Sequence, residues 1–318
     1  GYSNLKIAYG PSISGKPKGL VIKPSGAGPA SSMPTSLRHE DTSDEVRVLL
    51  DGDDWVAGVE HGRLQAFDRE LHREYASSRQ YKALFHASLL FAESDRIDHL
   101  VTGLPVVHFQ DAGMRERLEK SLTGIHEPAK GKKVRVENVR VLPQPAGAYM
   151  DLVSTSEDLD LLEEGRIVII DPGFFSVDWV TIEGGEIRSA SSGSSLKAMS
   201  VLLEAVDERI EKELGDRVGV QRLERAMRNR ETSVLHFGSR LDISPFINAA
   251  VREVAPSALT AMRQAMRAEE RNVDAVLLSG GGAKAYEAAA ADIFEKSRIL
   301  VPRDPVLANA RGFWNYGA

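Results

Sequence analysis

The chain has 318 residues, of which 42% are hydrophobic and 27% charged, with a formal net charge of −6 at pH 7. This length suits two domains or one large α/β unit, and the acidic balance argues against direct nucleic-acid binding, which usually needs a basic surface. The lack of cysteine excludes disulfides and thiolate zinc sites, and the lack of a signal peptide or of ~18 consecutive apolar residues predicts a cytoplasmic protein with no membrane span.

The first predicted strand lies close to the start of the printed sequence. Leu5, Ile7 and Tyr9 alternate as in a strand, directly after the turn-like residues Gly-Tyr-Ser-Asn. Since a hairpin turn needs a strand before it, we expect the sequence to begin inside a structural motif. Residues 11–45 are rich in Gly, Pro and Ser, which predicts loops around a short strand at 20–22.

The rest of the first half predicts a mixture of strands and helices. The turn signal Asp51-Gly52 lies between two apolar strands and predicts a hairpin. The other elements predicted here are a helix at 80–94, a strand at 99–105, a helix at 112–122, and a strand pair or one bent strand over 134–141.

The second half continues the alternation and adds hairpins. Gly184-Gly185 is a hairpin signal, and Gly215 lies where a helix would end. The predicted elements are strands at 167–170, 177–182 and 187–190, helices at 199–214 and 246–271, a strand at 274–278, a helix at 283–296 and a strand at 299–301. We therefore predict an α/β fold with mixed sheets.

Three segments carry candidate binding chemistry. In the first, residues 1–6, a turn supplies backbone N–H groups, and Ser3, Asn4 and Lys6 add polar and charged donors that suit an anion. A plain turn leading into a strand explains the same residues.

The other two segments each combine an apolar strand with glycine. Asp171 ends a strand next to Gly173, which suits a carboxylate that holds Mg²⁺ through water or positions a nucleophilic water; a hairpin with turn aspartates, including Asp178, is the alternative. Gly280, Gly281 and Gly282 lie between a strand and a helix and would let a ligand approach the backbone; a glycine-rich turn without a ligand is the alternative. Neither GxxxxGK[ST] nor GxGxxG occurs.

In this order the segments resemble the actin-like ATPase superfamily of actin, chaperones and sugar kinases, and within it the bacterial ParM/StbA-type plasmid-segregation proteins. GYSNLK and DPGFFSVD resemble the first and second phosphate loops, and LLSGGGA resembles the adenosine motif. VLPQPAGAY (141–149) resembles the connecting helix, and ANARGFW (308–314) resembles the C-terminal return helix.

The resemblance implies two actin-like, ribonuclease H-like domains with mixed sheets flanking a nucleotide cleft. Domain I would cover residues 1–150, with a small subdomain at about 20–80 and the C-terminal return at 303–318. Domain II would cover residues 151–302, with a small subdomain at about 197–272.

The resemblance also implies roles for single residues. Ser3, Asn4 and Lys6 would contact the β- and γ-phosphates of ATP (or GTP), and Gln144 would orient the attacking water. Asp171 would act on Mg²⁺ and on that water. Gly173 would let the backbone close on the phosphates, and Gly280, Gly281 and Gly282 would pass beneath the adenosine.

The sequence departs from the family pattern in three places. An aspartate that the family has before the first loop would precede Gly1. Phe174 and Phe175 follow Gly173 where the family has small residues, and Pro172 lacks an N–H donor. These departures predict that nucleotide hydrolysis is slower or differently tuned.

The expected function is a nucleotide-driven filament protein. Subunits would join head to tail, hydrolysis would weaken their contacts, and a DNA-binding adaptor would connect the filament to plasmid DNA. The alternatives are a non-polymerising member of the superfamily, such as a small-molecule kinase, and a scaffold that binds nucleotide weakly or not at all.

Overall fold

The computed structural model describes residues 3–35, 45–65, 73–173, 176–195, 199–229, 231–266 and 272–317. The chain divides into two compact units: unit 1 comprises residues 1–154 and 310–318, and unit 2 comprises residues 155–309. The domain and subdomain bounds stated above stay predictions. Gly1, Tyr2, Phe174 and Phe175 lie outside the described residues.

The described part of unit 1 consists of three small sheets and the helices that cover them. Its elements, in chain order, are β1 (Asn4–Tyr9), β2 (Gly19–Pro24), β3 (Gly26–Pro29), β4 (Val46–Leu50), β5 (Asp53–Val59), α1 (Arg79–Phe91), β6 (Arg96–Leu104), α2 (Val106–Phe109), α3 (Ala112–Leu122), β7 (Gly124–Ala129), β8 (Lys132–Pro143) and α4 (Ala146–Val153). β1 and β2 form an antiparallel pair, and β5 lies between β3 and β4 in an antiparallel sheet. β8 lies between β6, to which it is parallel, and β7, to which it is antiparallel.

Helix α1 packs against two hydrophobic clusters. Ala83, Leu84 and Ala87 belong to the cluster around Trp55, on the β3-β5-β4 sheet. Phe85 and Leu89, on the neighbouring positions of the helix, belong to a cluster with α3, β6 and β8. Since burying a large apolar side chain contributes roughly 1.5–3 kcal/mol, α1 binds these two sheets into one unit.

Unit 2 is built on a six-stranded mixed sheet. Its elements are α5 (Leu159–Glu163), β9 (Arg166–Pro172), β10 (Val177–Glu183), β11 (Glu186–Ile187), β12 (Gly193–Ser195), α6 (Met199–Leu214), α7 (Val220–Arg228), β13 (Ser233–His236), β14 (Ser239–Asp242), α8 (Ser244–Ala265), β15 (Ala275–Leu278), α9 (Ala283–Ile293) and β16 (Arg298–Leu300). The strand order is β11-β10-β9-β15-β16, with β12 beside β10. β9 is antiparallel to β10 and parallel to β15, so the predicted α/β class with mixed sheets is confirmed.

The central sheet of unit 2 has one apolar face and one face that ends in polar residues. Val168, Ile170 and Trp179 pack with residues of α8 and α9 in the largest cluster of this unit. Asp171 pairs with Asp178 in the antiparallel register, so both side chains point to the face opposite Ile170 and Trp179. The sheet thus places two carboxylates side by side at one end.

The last helix, α10 (Ala308–Gly317), starts in unit 2 and continues into unit 1. Within unit 1, Arg311 donates to both carboxylate oxygens of the buried Asp151 on α4, at 2.9 and 2.5 Å. A Cβ at Gly312 would lie 1.7 Å from the carbonyl oxygen of Gly147, so α10 and α4 approach at a distance that only glycine permits. No described helix combines the length and the apolar composition that a membrane crossing requires.

Candidate functional site

Asp171 lies at the carboxyl end of the central strand of unit 2. β9 is buried at every position, and Asp171 itself is 7% exposed. A buried carboxylate needs hydrogen-bond donors, and Asn309 Nδ2 donates to Asp171 Oδ2 at 2.6 Å. The structure therefore places a constrained acidic group where β9 and its parallel neighbour β15 end.

The predicted glycine turn closes directly onto this carboxylate. Gly280 has φ of +77°, donates its N–H to the carbonyl of Pro305 at 2.8 Å, and a Cβ there would lie 1.9 Å from Asp171 Oδ1. Gly282 donates its N–H to the carbonyl of Pro172 at 3.1 Å, and a Cβ there would lie 2.8 Å from the same oxygen. Both glycines are thus required by the packing of the turn on the end of β9.

Gly281, which lies between them, is not required to be glycine by packing. A Cβ at Gly281 would have no heavy atom within 4 Å, and α9 begins two residues later at Ala283. This peptide is open to approach, and the amino end of a helix favours a negatively charged or polar group. The turn can therefore accept a ligand against its backbone.

Gly173 and Pro172 use their backbone groups within the turn itself. The Gly173 N–H donates to Ser176 O at 2.9 Å, and its carbonyl accepts from the N–H of Met199 at 3.1 Å. Pro172 has no N–H, and its carbonyl accepts from Gly282. Neither residue therefore has a free N–H for a phosphate, so the lack of a donor predicted at Pro172 extends to Gly173. Phe174 and Phe175, where the other departure from the family pattern was predicted, lie outside the described residues.

Asp178, the second aspartate of this segment, is saturated by hydroxyl donors. It is 3% exposed and accepts hydrogen bonds from Ser176 Oγ, at 2.5 Å, and from Ser194 Oγ. Its carboxylate therefore stabilises the β10–β12 edge and the turn, and Asp171 is the carboxylate of the pair that borders the glycine turn.

In unit 1 the predicted phosphate-contacting residues lie on β1. Asn4 and Lys6 are two residues apart and share one face of the strand, while Leu5 on the other face packs against the cluster around Trp55. The Ser3 carbonyl accepts from the N–H of Ser25 at 3.0 Å, which fixes the start of the strand. Asn4 Oδ1 is buried without a hydrogen-bond partner, and Lys6 makes no ion pair within the described residues. A buried amide oxygen and an unpaired ammonium on one face suit a polar, anionic ligand.

Gln144 lies at the carboxyl end of the parallel strands β6 and β8. Its N–H donates to Leu104 O at 2.9 Å, and its side-chain Nε2 makes a long contact of 3.4 Å with Gly103 O. A Cβ at Gly103 would lie 2.8 Å from Gln144 Cγ, so this glycine makes room for the side chain. Gln144 directly follows β8 of the β6-β8-β7 sheet, whereas Asn4 and Lys6 lie on the separate β1-β2 pair.

The donor set fits Mg²⁺ held together with a phosphate ligand rather than by protein alone. Among the described residues, no three His, Asp or Glu side chains form a group that would bind a metal ion. Mg²⁺ usually keeps several waters and binds one or two carboxylates plus substrate phosphates. Asp171 is a carboxylate of the required kind.

Sequence reasoning missed Asn309. Asn309 lies in the segment that resembles the return helix, 138 positions from Asp171, and no spacing or composition marks it. Its contact exists because the chain comes back to the end of β9 just before α10 leaves unit 2.

The comparisons agree with this architecture. Residues 1–147 match the family model of the actin-like proteins' N-terminal domain, and residues 169–290 match that of the archaeal actin homologue MreB-like C-terminal domain. No curated protein matches the chain. The chain belongs to the actin-like proteins, as the resemblance predicted.

Solved structures show the same fold at low sequence identity. The native crystal structure of an archaeal actin homologue is 18% identical, with a TM-score of 0.73 over 99% of this chain and 96% of that one, and its complex with ADP gives the same values. A 15-stranded ParM filament from Clostridium botulinum is 18% identical, with a TM-score of 0.71 over 100% of this chain and 99% of that one. The two-domain actin-like fold is therefore confirmed.

Proposed function

We propose that this actin-like protein binds ATP (or GTP) with Mg²⁺, hydrolyses it, and polymerises into filaments. The observation that carries the proposal is the turn at 280–282, where two glycines close on the Asp171 carboxylate and Gly281 leaves its backbone open. The ADP complex of the archaeal homologue supports the nucleotide, and the ParM filament supports self-association.

The chemistry of the predicted site residues assigns each group of them a role in nucleotide binding. Lys6 supplies a compact positive charge to the β- and γ-phosphates, with Ser3 and Asn4 as polar partners. The backbone at Gly280, Gly281 and Gly282 lies against the adenosine.

Hydrolysis requires a positioned water and neutralised phosphate charge. Gln144, whose side-chain amide carries N–H donors and a carbonyl acceptor, would orient the attacking water, and Asp171 would hold Mg²⁺ through water or position the attacking water. Mg²⁺, when bound with the nucleotide, would supply positive charge against the charge that develops on the phosphates. Because the N–H of Gly173 already donates to Ser176 O, this turn offers the phosphates fewer backbone N–H donors, which favours slow turnover.

Filament formation requires a different property: one copy of the chain must contact the next head to tail. Such a heterologous contact gives an open helical filament when its rotation does not close. By the same resemblance, a DNA-binding adaptor would connect the filament to plasmid DNA in the cytoplasm, because the acidic chain does not favour direct DNA contact.

The test of binding is a titration of the intact chain with Mg-ATP and Mg-GTP by calorimetry. Lys6→Ala should weaken nucleotide binding about 10–100-fold, since a hydrogen bond to a charged group contributes roughly 1.5–3 kcal/mol. Lys133→Ala, which removes an exposed lysine elsewhere in unit 1, should bind as the wild type does. A wild-type chain that binds neither nucleotide would leave the scaffold alternative.

Turnover and assembly need their own measurements. Phosphate release without a phosphorylated acceptor supports hydrolysis, whereas phosphoryl transfer to a small molecule would indicate the kinase alternative. Nucleotide-dependent pelleting and filaments in electron micrographs support polymerisation. A nucleotide-bound chain that stays monomeric at high concentration would show a non-polymerising member of the family.

A further inference from the structure

The amide of Asn309 is bonded to the carboxylate that borders the glycine turn. Asn309 is the second residue of α10 and the last residue of unit 2, and its Nδ2 lies 2.6 Å from Asp171 Oδ2. Carboxylate oxygens only accept, so the NH₂ group of Asn309 must face Asp171; the opposite orientation would set two acceptors against each other.

The second carboxylate oxygen is also restricted. Oδ1 of Asp171 occupies the space beside Gly280 where any side chain would place its Cβ. Asp171 is thus held on one side by a donated hydrogen bond and on the other by the backbone of the turn. A carboxylate constrained at both oxygens keeps one orientation before a ligand arrives.

Two more polar atoms at this end of the sheet are buried and have no partner within the described residues. They are Asn309 Oδ1 and Ser279 Oγ. Ser279 donates its N–H to Ile170 O, so it continues the register of β15 and lies next to Asp171 at the carboxyl end of these two strands. Unsatisfied buried polar atoms cost free energy unless a water or ligand bonds them, so this end of the sheet is built for more than internal packing.

We propose that Asn309 is a positioning residue that orients Asp171 for its role toward Mg²⁺ and the attacking water. The inference rests on the proposed function and adds a residue to it. Asn309 acts through Asp171, as residues that orient metal ligands do, and their loss typically lowers metal affinity or activity about 10–100-fold.

The test compares Asn309→Ala with Asn315→Ala in the full-length protein. Asn315 lies on the same helix and also donates from Nδ2, but to Ser154 Oγ within unit 1, so its loss removes a side-chain amide hydrogen bond away from Asp171. Calorimetry gives the ATP affinity with and without Mg²⁺, and phosphate release gives kcat and KM against Mg²⁺ concentration. Thermal unfolding checks the fold of each variant.

The expected result separates positioning from general stability. Asn309→Ala should need about tenfold more Mg²⁺ for half-maximal phosphate release and should lose the gain in ATP affinity that Mg²⁺ gives the wild type, while its metal-free ATP affinity stays within about twofold. Asn315→Ala should match the wild type in all three. If Asn309→Ala is unstable, Asn309→Gln, which keeps an amide donor one methylene further out, should show a smaller shift in the same direction.

Two results would overturn the proposal and are easily told apart. If the wild type binds ATP with Mg²⁺ but Asn309→Ala retains the same Mg²⁺ dependence, Asn309 only stabilises the packing at the end of β9. If the wild type itself binds no nucleotide, the proposed function fails and this inference fails with it.

Discussion

At the scale of single residues, neighbouring glycines of the turn at 280–282 have different physical reasons to be glycine. Gly280 has a left-handed backbone and touches Asp171 Oδ1, whereas Gly281 has neither a positive φ nor a neighbour within 4 Å. Only the first is needed by the fold. The second leaves room for a ligand, so the two positions separate stability from binding.

We predict opposite outcomes for alanine at these two positions. Gly280→Ala should lower the free energy of unfolding of unit 2 by at least about 1 kcal/mol, which is the cost of a left-handed backbone at alanine. The new Cβ also displaces the Asp171 carboxylate, which adds to this cost. Gly281→Ala should unfold as the wild type does but bind ATP about tenfold more weakly, since its methyl group occupies the open side. Urea unfolding and calorimetry measure the two quantities; a Gly281→Ala chain with unchanged affinity would place the nucleotide elsewhere.

At the scale of elements, three hairpins in the described part of the chain use the same two-residue turn with both residues at positive φ. These turns are Asp51-Gly52, with φ of 53° and 91°, Gly184-Gly185, with 57° and 76°, and Phe237-Gly238, with 45° and 81°. Asp-Gly and Gly-Gly are favoured in such turns, and both hairpins were predicted from the sequence. The β13–β14 hairpin was not predicted, because phenylalanine carries no turn signal and is strained at this position.

The Phe237 turn therefore offers a stabilising substitution. Phe237 is 79% exposed, so burial of its ring contributes little free energy to offset the backbone strain. Phe237→Asn should raise the free energy of unfolding of unit 2 by roughly 1 kcal/mol, because asparagine tolerates the left-handed region. Phe237→Leu removes the ring but keeps the strain, so it should match the wild type. Equal urea midpoints for the asparagine variant and the wild type would show that the turn carries no strain.

Other elements show why part of the structure could be read from the sequence and part could not. β9 contains the apolar run 167–170, β15 is apolar throughout, and α6 is followed by Gly215 with φ of +83°, so the apolar runs and turn chemistry located them. β7 is a partly exposed edge strand that contains Pro128, and it offers no apolar alternation. The bond from Asn309 to Asp171 depends on tertiary folding across the whole of unit 2, which local patterns do not encode.

At the scale of the whole molecule, the two units differ in their number of histidines. Seven of the eight histidines lie in the sequence of unit 1, and two of them, His86 and His126, have rings 5.9 Å apart. His86 Nδ1 donates to Leu49 O at 2.7 Å and His126 Nε2 to Leu122 O at 2.9 Å, because a carbonyl can only accept. Nε2 of His86 is buried without a partner, so a proton there would have no acceptor within the described residues.

Acid should therefore destabilise unit 1 more than unit 2. Burial lowers the pKa of both His86 and His126 below the ordinary value of 6.5. The unfolded state then binds more protons than the folded state as pH falls below about 6.5, so stability is full above that pH and is lost below it. The loss is at most about 1.4 kcal/mol per pH unit for each histidine.

Tryptophan fluorescence can follow unit 1 by itself. In a Trp179→Phe background the remaining tryptophans, Trp55 and Trp314, both belong to unit 1. Urea midpoints from pH 7.5 to 5.5 should fall steeply in this background. His86→Asn combined with His126→Gln keeps a donor near each bonded nitrogen and removes both titrations, so it should flatten the profile, whereas His99→Gln, at an exposed position, should leave it unchanged. A profile equally steep in all three chains would assign the acid sensitivity of unit 1 to groups other than these two histidines.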